Sequence, residues 1–308
     1  MMKTHLLDRS VKTALVACAS AALVLSTGIA PASAQQETAA DEISELVASV
    51  APSQGEVQRT DPTPSGFLAG DAGLPNDTSE PVVVTGGDIP LAVSLPAGID
   101  AAVGEQAADG TVVYQSASDD IDVAAQVLGS GVVRIQTVIH DATAQHEFEY
   151  SIGNGYTPVT AADGSFWSYR FDEHGSMDLY RIGEPWARDA TGAVVGTHYE
   201  IRDDTIVQVV TPDADTVYPI VADPTWEWYN AAYGAGFSKR ETRDLANLGG
   251  IAGLCSGLWR WPALGAACGI AGFQWWTQAG LAANANGCVF IAAVPAPLAV
   301  RWLSNKCR

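Results

Sequence analysis

Short runs of β-branched and other apolar residues, separated by turn residues, dominate the chain from Pro81 to about residue 225. Turn pairs such as Asn154-Gly155, Asp163-Gly164, His174-Gly175 and Thr191-Gly192 recur at the spacing of antiparallel hairpins. The predicted strands cover residues 82–84, 91–95, 111–114, 123–128, 132–140, 147–152, 166–171, 177–182, 193–202, 205–211 and 217–221. We therefore predict an all-β domain over residues 81–225, built as an antiparallel meander or sandwich.

Alternation within the strands predicts that one face of the sheet contacts solvent. In residues 133–139 the odd positions are apolar or threonine, whereas Arg134 and Gln136 occupy the opposite face. Because side chains alternate between the two faces of a strand, the polar positions are expected on a wet face.

A helical pattern replaces this alternation in residues 226–308. Ser238 and Glu241 have the spacing of a capping box, which predicts a helix start, and apolar residues then recur at helical spacing as far as Cys255. A second helix is expected to begin at Pro262 and to run toward the turn at residues 284–287. Residues 289–303 contain two prolines and cannot form one straight helix. The predicted fold class is α+β: the β domain is followed by a small disulfide-pinned helical C-terminal domain.

Two segments precede the β domain. Residues 1–34 have the charged, apolar and small-residue regions of a secretory signal peptide, with cleavage expected after Ala34. Residues 35–80 are acidic and rich in proline, and we predict a disordered lead-in with a short helical possibility at residues 40–50. The expected location is therefore secreted or at the cell surface.

Charge divides the chain into two unlike parts. Residues 35–225 carry six basic and thirty-one acidic side chains, whereas residues 226–308 carry seven basic and three acidic ones. The whole chain has a formal net charge of −19, which argues against nucleic acid as a partner because phosphate binding needs positive charge. The sequence also lacks a Gly-rich phosphate loop.

Four cysteines lie in the basic part, namely Cys255, Cys268, Cys288 and Cys307. An even number of cysteines in an exported chain predicts disulfides, and the absence of a Cys-x-x-Cys pair argues against zinc. Three pairings are possible, and the spacing leaves all three open.

Residues 261–300 contain no Asp, Glu, Lys or Arg. This stretch fits either the centre of a disulfide-pinned helical bundle or a membrane-active segment, because residues 263–281 approach the length of a membrane span. Aromatic side chains are its best candidates for a membrane or partner surface. They are Phe273, Trp275, Trp276 and Phe290.

Candidates for chemistry are few. His140 and His146 flank a short turn and are weak candidates for metal ligands, with ordinary exposed polar residues as the preferred interpretation. No serine or cysteine nucleophile has recognisable flanking residues. We therefore predict no cofactor and no catalytic residue.

Several stretches carry a resemblance to a known family. They are EPWARDATG at residues 184–192, THYEI at 197–201, VQVV at 207–210, VYPIVADPTW at 217–226, FSKRETR at 237–243 and NGCV at 286–289. Together they resemble a functionally uncharacterised family of exported actinobacterial proteins with a β module and a Cys/Gly/Ala-rich helical C-terminal region. The resemblance implies export and this architecture, and it implies no catalytic or binding residue.

Three functions follow as hypotheses. The preferred one is a non-enzymatic binding or structural protein at the cell surface, whose partner is a cell-envelope component or membrane lipid. The first alternative is a bacteriocin-like membrane-active protein in which the acidic part masks the cationic apolar part. The second alternative is a secreted hydrolase that uses carboxylates without a known signature.

Overall fold

The structure is a computed structural model. It describes residues 38–308 except for 71, 88, 98, 100–101, 119, 130, 172–176, 230–232, 259–261, 303–306 and 308. The predicted signal peptide at residues 1–34 and the predicted turn at His174-Gly175 lie outside the described residues. The described residues belong to one compact unit.

The fold is α+β, with most of its regular structure in antiparallel strands. The helices are α1 (Ala39–Val50), α2 (Lys239–Leu245), α3 (Leu248–Leu258) and α4 (Pro262–Asn284). The first eleven strands are β1 (Asp61–Thr63), β2 (Gly66–Ala69), β3 (Ala72–Pro75), β4 (Val82–Val84), β5 (Leu91–Val93), β6 (Gly104–Gln106), β7 (Val112–Gln115), β8 (Ile121–Val127), β9 (Val133–Ile139), β10 (Glu147–Ser151) and β11 (Thr157–Thr160). The others are β12 (Phe166–Phe171), β13 (Met177–Ile182), β14 (Ala187–Arg188), β15 (Gly196–Arg202), β16 (Thr205–Thr211), β17 (Ile220–Ala222), β18 (Thr225–Tyr229), β19 (Tyr233–Gly236), β20 (Cys288–Val294) and β21 (Leu298–Trp302).

Within the described residues the strands form four sheets. The largest has ten strands, with the order β11-β12-β13-β18-β9-β8-β7-β6 and with β14 and β17 attached beside β9. A five-stranded sheet follows the chain order from β1 to β5. The other two sheets have the orders β10-β16-β15 and β19-β20-β21. The predicted turn at Asp163-Gly164 joins β11 to β12 as an antiparallel hairpin, and Gly164 has the positive φ of 88° that such turns favour. Asn154 and Gly155 also form a turn, with φ values of 57° and 76°, but it joins β10 to β11, which lie in different sheets, so it is not a hairpin.

Both faces of the central strands are buried, which corrects the prediction of a wet face. Every residue of β8 and β9 is buried. One face contributes Val133, Ile135 and Ile139 to the main hydrophobic core. Helix α1 packs on the opposite face, so the polar positions predicted to be wet lie beneath it and beneath the chain that follows it.

Arg134 shows how this second face accommodates polar groups. Its guanidinium donates to Gln126 Oε1 from Nε at 2.9 Å and to the Pro52 carbonyl from Nη1 at 3.0 Å. Gln126 in turn donates to Thr111 Oγ1 at 2.8 Å. Burial lowers the pKa of Arg134, while the nearby Asp223 and Asp109 act in the opposite direction. The prediction that these polar side chains share one face of the strand was therefore correct. That face, however, contacts a hydrogen-bonded interior and not water.

The prediction of a disordered lead-in over residues 35–80 is wrong for the part that the structure describes. Thr38 and Asp41 form a capping box at the start of α1, and strands β1 to β3 follow within the same segment. Ile43 and Val47 of α1 are buried against Val113, Val138 and their neighbours. The acidic composition suggested too little apolar surface for folding, but the helix buries its apolar stripe on a sheet that lies far away in sequence.

The substitution Ile43→Ala tests this packing. We expect a loss of about 2–4 kcal/mol in the free energy of unfolding, because a buried aliphatic side chain is removed and a cavity remains. Glu45→Ala on the exposed face of the same helix serves as the control and should change stability by about 0.5 kcal/mol or less. Urea unfolding measures both. Equal stability of Ile43→Ala and the wild type would show that α1 does not contribute to the fold.

The C-terminal region confirms some of its predicted helices and corrects others. The capping box of Ser238 and Glu241 starts α2, and α4 begins at Pro262. The predicted first helix is divided between α2 and α3, with Asn247 donating to the Arg243 carbonyl at the break. Residues 288–302 form the hairpin β20–β21 and, as predicted, do not form one straight helix.

This hairpin packs on one face of the central sheet, over β12 and β13. Leu298 and Val300 share a hydrophobic cluster with Trp167 and Leu179. The hydroxyl of Tyr169 donates to the carbonyl of Arg301 at 3.4 Å. The C-terminal region is therefore joined to the β body by packed apolar side chains and by hydrogen bonds.

Candidate binding cleft

Two segments that are distant in sequence lie side by side at one end of the central sheet. The first is the connection from Gly183 to Trp186, between β13 and β14, and the second runs from Asp223 into β18. Gly183 N donates to the Thr225 carbonyl at 2.8 Å, and Asp223 N donates to the Trp186 carbonyl at 3.3 Å. Trp186 N donates to Asp223 Oδ1 at 2.9 Å. These bonds hold the two segments together as one wall.

The chain that follows α1 supplies the opposite wall. Arg134 Nη1 donates to Gln54 Oε1 at 3.3 Å, and the Thr225 hydroxyl donates to the same oxygen at 3.2 Å. Pro52 accepts from Arg134 through its backbone carbonyl. The residues that sequence reasoning placed in a disordered segment are thereby fixed against β9 and β18.

Between these walls lies a cleft of about 630 Å³, within the size range of ligand sites. Its lining combines charge with an aromatic ring: Arg181, Glu184 and Glu227 line it together with Trp186. Arg181 on β13 lies directly opposite Glu227 on β18. Glu184 and Glu227 are exposed, whereas Arg181 and Trp186 are half-buried. The cleft can thus offer charged hydrogen-bonding groups beside an apolar ring.

Asp223 lies behind this cleft and anchors it. The side chain is fully buried, and its Oδ1 accepts from Trp186 N and, at 3.2 Å, from Gln208 Nε2. Burial raises the pKa of Asp223 to about 8, although the hydrogen bonds from Trp186 and from its other donors act against this rise. Asp223 is therefore mostly uncharged near neutral pH and holds the wall without lining the cleft.

None of these cleft residues was among the sequence-derived candidates. Trp186 and Asp223 do fall within two stretches that carry the family resemblance, EPWARDATG and VYPIVADPTW. From the sequence, those stretches indicated only a β module. Nothing in the sequence predicts that the two stretches lie side by side in the fold. The structure shows that they form one wall.

The four cysteines form two disulfides between sequence neighbours. Cys255 pairs with Cys268, and Cys288 pairs with Cys307. The first bond joins α3 to α4, and the second joins the start of β20 to the chain beyond β21. This is one of the three pairings that the spacing left open.

The two weak metal candidates do not converge. His140 Nε2 lies 2.7 Å from Asp122 Oδ2, whereas His146 Nε2 lies 3.0 Å from the hydroxyl of Tyr218. No cluster of three or more potential metal ligands occurs in the described part of the chain.

The aromatic residues proposed for a membrane or partner surface have different environments. Trp275 is fully buried and belongs to the core between α4 and the β20–β21 hairpin, so it is not a surface residue. Trp276 is half-buried and donates to the Ala246 carbonyl at 2.6 Å. Phe290 is also half-buried and packs edge-on against Phe171. Phe273 alone of the four is strongly exposed, at 76%.

Helix α4 carries the long uncharged stretch that suggested membrane activity. No helix among the described residues combines the length and the apolar character that crossing a membrane requires.

Comparison with models of known protein families and with curated proteins finds no match for this chain.

Proposed function

We propose that this chain is an exported, non-enzymatic binding protein of the cell surface and that its ligand occupies the cleft beside Trp186. The observation that carries the proposal is the cleft itself, whose walls come from three separate segments held by hydrogen bonds. A pre-formed concave site with a few converging polar groups is the usual form of a ligand site. The two disulfides are compatible with an oxidising compartment outside the cell.

The predicted signal peptide and the resemblance to exported actinobacterial proteins support the same location. For this reason we expect the ligand to be a component of the cell envelope. The described cleft offers no serine or cysteine nucleophile, since its hydroxyl group is the buried Thr225, which is bonded to Gln54. Binding therefore accounts for the site better than nucleophilic catalysis does.

The substitution Trp186→Ala tests the proposal. We expect the mature protein to sediment with purified actinobacterial cell walls, and we expect the variant to bind at least about tenfold more weakly, because truncating an aromatic hot-spot residue typically costs about 2 kcal/mol or more of binding free energy. Binding isotherms from a sedimentation assay measure both affinities. A matched control is Phe273→Ala, which removes an exposed aromatic ring outside the cleft and should leave binding unchanged.

Two results would overturn the proposal. One is a wild-type protein that sediments no more with walls than without them. The other is equal binding by Trp186→Ala and the wild type. Because Trp186 also packs against the cluster around α1, an unchanged circular dichroism spectrum must accompany any loss of binding.

The two alternatives have less support. For the membrane-active hypothesis, the exposed Phe273 and Leu281 on α4 are favourable, but Trp275 is buried. For the hydrolase hypothesis, Glu184 and Glu227 share one cleft, as a pair of catalytic carboxylates would. Leakage of dye from anionic liposomes would favour the first alternative, and new reducing ends in a glycan substrate would favour the second.

A further inference from the structure

The candidate binding cleft lies in a gap between two covers on one face of the central sheet. Helix α1 and the chain after it cover β7, β8 and β9, whereas the β20–β21 hairpin covers β12 and β13. Both covers lie on the same face, because Arg134 is opposite Thr225 and Glu227 is opposite Arg181 in the strand register. Leu179, two positions before Arg181, packs in the hairpin cluster. The floor of the cleft is therefore a stretch of sheet between two fixed walls.

Arg181 and Glu227 are cross-strand neighbours on that floor, yet they do not pair with each other. Side chains in directly opposite positions are close enough for an ion pair. Within the part of the chain that the structure describes, neither of them belongs to an ion pair, and the same holds for Glu184 on the loop wall. All three side chains line the cleft. Their charges are consequently available to a ligand.

Trp186 adds an aromatic surface beside these charges. Its ring lines the cleft and also packs against the cluster that includes α1, and its backbone nitrogen donates to Asp223. The indole ring is the best aromatic partner for a cation, because the negative face of the ring attracts positive charge. A ring that is fixed before binding also loses little conformational entropy. An ammonium group in the cleft would thus meet an aromatic ring and two carboxylates, those of Glu184 and Glu227.

The charges of the cleft argue against two other classes of ligand. Its two carboxylates outnumber its one guanidinium group, so a polyanion would meet net repulsion, which the acidic chain as a whole strengthens. An uncharged ligand would cover three charged side chains without replacing the hydration that they lose, and this weakens binding. A ligand with charges of both signs avoids both penalties.

We infer that the cleft binds a zwitterionic ligand of the amino-acid or short-peptide class, whose free ammonium group contacts Trp186, Glu184 and Glu227 and whose carboxylate pairs with Arg181. A guanidinium group suits this role, because it can donate two parallel hydrogen bonds to one carboxylate. The inference rests on the proposed binding function and names the chemical class of its ligand.

The first test removes each charge from a probe of known structure. The probe is the tripeptide N-acetyl-glycyl-lysyl-glycine, whose charges are one ammonium and one carboxylate. Isothermal titration calorimetry would compare it with its Nε-acetylated form and with its C-terminal amide. We expect the wild type to bind the acetylated form about tenfold more weakly than the probe, because a cation–π contact and ion pairs are lost. The amide should bind about threefold more weakly, because one charged pair is lost.

Single substitutions then identify which side chain recognises which charge. In Glu227→Gln the preference for the probe over its acetylated form should fall about threefold, and its preference over the amide should be retained. Arg181→Gln should show the reverse. Loss of the fold would abolish both preferences together, so this reciprocal pattern is specific to direct contacts. Glu105→Gln and Arg240→Gln are the matched controls, because both residues are exposed and neither lines the described cleft.

Acetylation of the amines of purified walls connects the inference with the proposed function. We expect the wild type to bind the treated walls about tenfold more weakly than untreated ones, for the same reason as with the tripeptide. Mock-treated walls are the control.

The possible outcomes separate the two proposals. If the tripeptide does not bind, or binds equally well after acetylation and amidation, the inference is overturned. Binding to untreated walls that depends on Trp186 would in that case leave the binding function standing. If the tripeptide binds as expected but the walls do not, the proposed function fails and the ligand class stands. Tighter binding of polyphosphate than of the tripeptide would also overturn the inference.

Discussion

Replacing Asp223 by Asn is expected to flatten the pH dependence of stability between pH 5 and pH 8. Burial raises the pKa of this carboxyl to about 8 in the folded state, compared with about 3.9 in an unfolded chain. In this window the folded protein therefore binds a proton that the unfolded protein releases. The stabilisation from this proton is complete below about pH 4 and is lost as the pH rises through 8.

The expected magnitude is large. One group whose protonation differs between the two states changes the free energy of unfolding by about 1.4 kcal/mol for each pH unit. The wild type should consequently lose about 4 kcal/mol between pH 5 and pH 8 from this group. Groups with lowered pKa values, such as Asp141 and Asp189, act in the opposite direction but titrate at lower pH.

The measurement is urea unfolding of the wild type and of Asp223→Asn at half-unit steps of pH. Asparagine keeps an oxygen that can accept from Trp186 N and Gln208, so the variant should fold. Asp215→Asn, at an exposed turn, is the control and should retain the slope of the wild type. An unchanged slope in Asp223→Asn would mean that the pKa of Asp223 is not raised in the folded protein.

Removing either disulfide is expected to lower the free energy of unfolding by about 3 kcal/mol. The paired cysteines are separated by 13 and by 19 positions, and the loss of loop-closure entropy depends only on the logarithm of that length. The variants Cys255→Ala/Cys268→Ala and Cys288→Ala/Cys307→Ala should therefore lose nearly equal amounts. Equality within about 0.5 kcal/mol is the specific expectation of the chain-entropy account.

Urea unfolding with and without reductant provides the measurement and its control. A variant that lacks all four cysteines should be insensitive to reductant, whereas the wild type should lose the contributions of both bonds. In the Cys288→Ala/Cys307→Ala variant, hydrogen exchange should show the loss of protection in β20 and β21, since the Cys288–Cys307 bond closes that hairpin. If removing either pair lowers the free energy of unfolding by less than about 1 kcal/mol, loop closure by that disulfide does not restrain the unfolded chain as the chain-entropy account expects.

Local sequence patterns predicted many elements correctly. Ser238 and Glu241 are close enough in sequence to cap a helix by themselves, and α2 begins after them as expected. Asn154 and Gly155 likewise tolerate the left-handed backbone that their turn needs. Such features depend on interactions within a few residues, which sequence reasoning can assess directly.

Predictions that depended on distant partners were less successful. Arg134 and Gln136 were assigned to water because their strand alternates, yet α1 and the chain after it cover them. The helix itself was expected in a disordered segment because its partner strands lie about 70 or more positions away. Trp275 could have faced either a membrane or a core, and its packing against the C-terminal hairpin placed it in the core.

The amino-acid sequence by itself determined the antiparallel β body, its turns, the starts of α2 and α4 and the cysteines available for pairing, because each depends on local backbone preferences or on composition. Only the tertiary structure decided which cysteines pair, which sheet face is covered, and that residues 183–186 and 223–227 form one wall of a cleft. The physical reason is that burial and hydrogen bonding between distant segments are properties of the assembled chain. The raised pKa of Asp223 exists only where those segments meet.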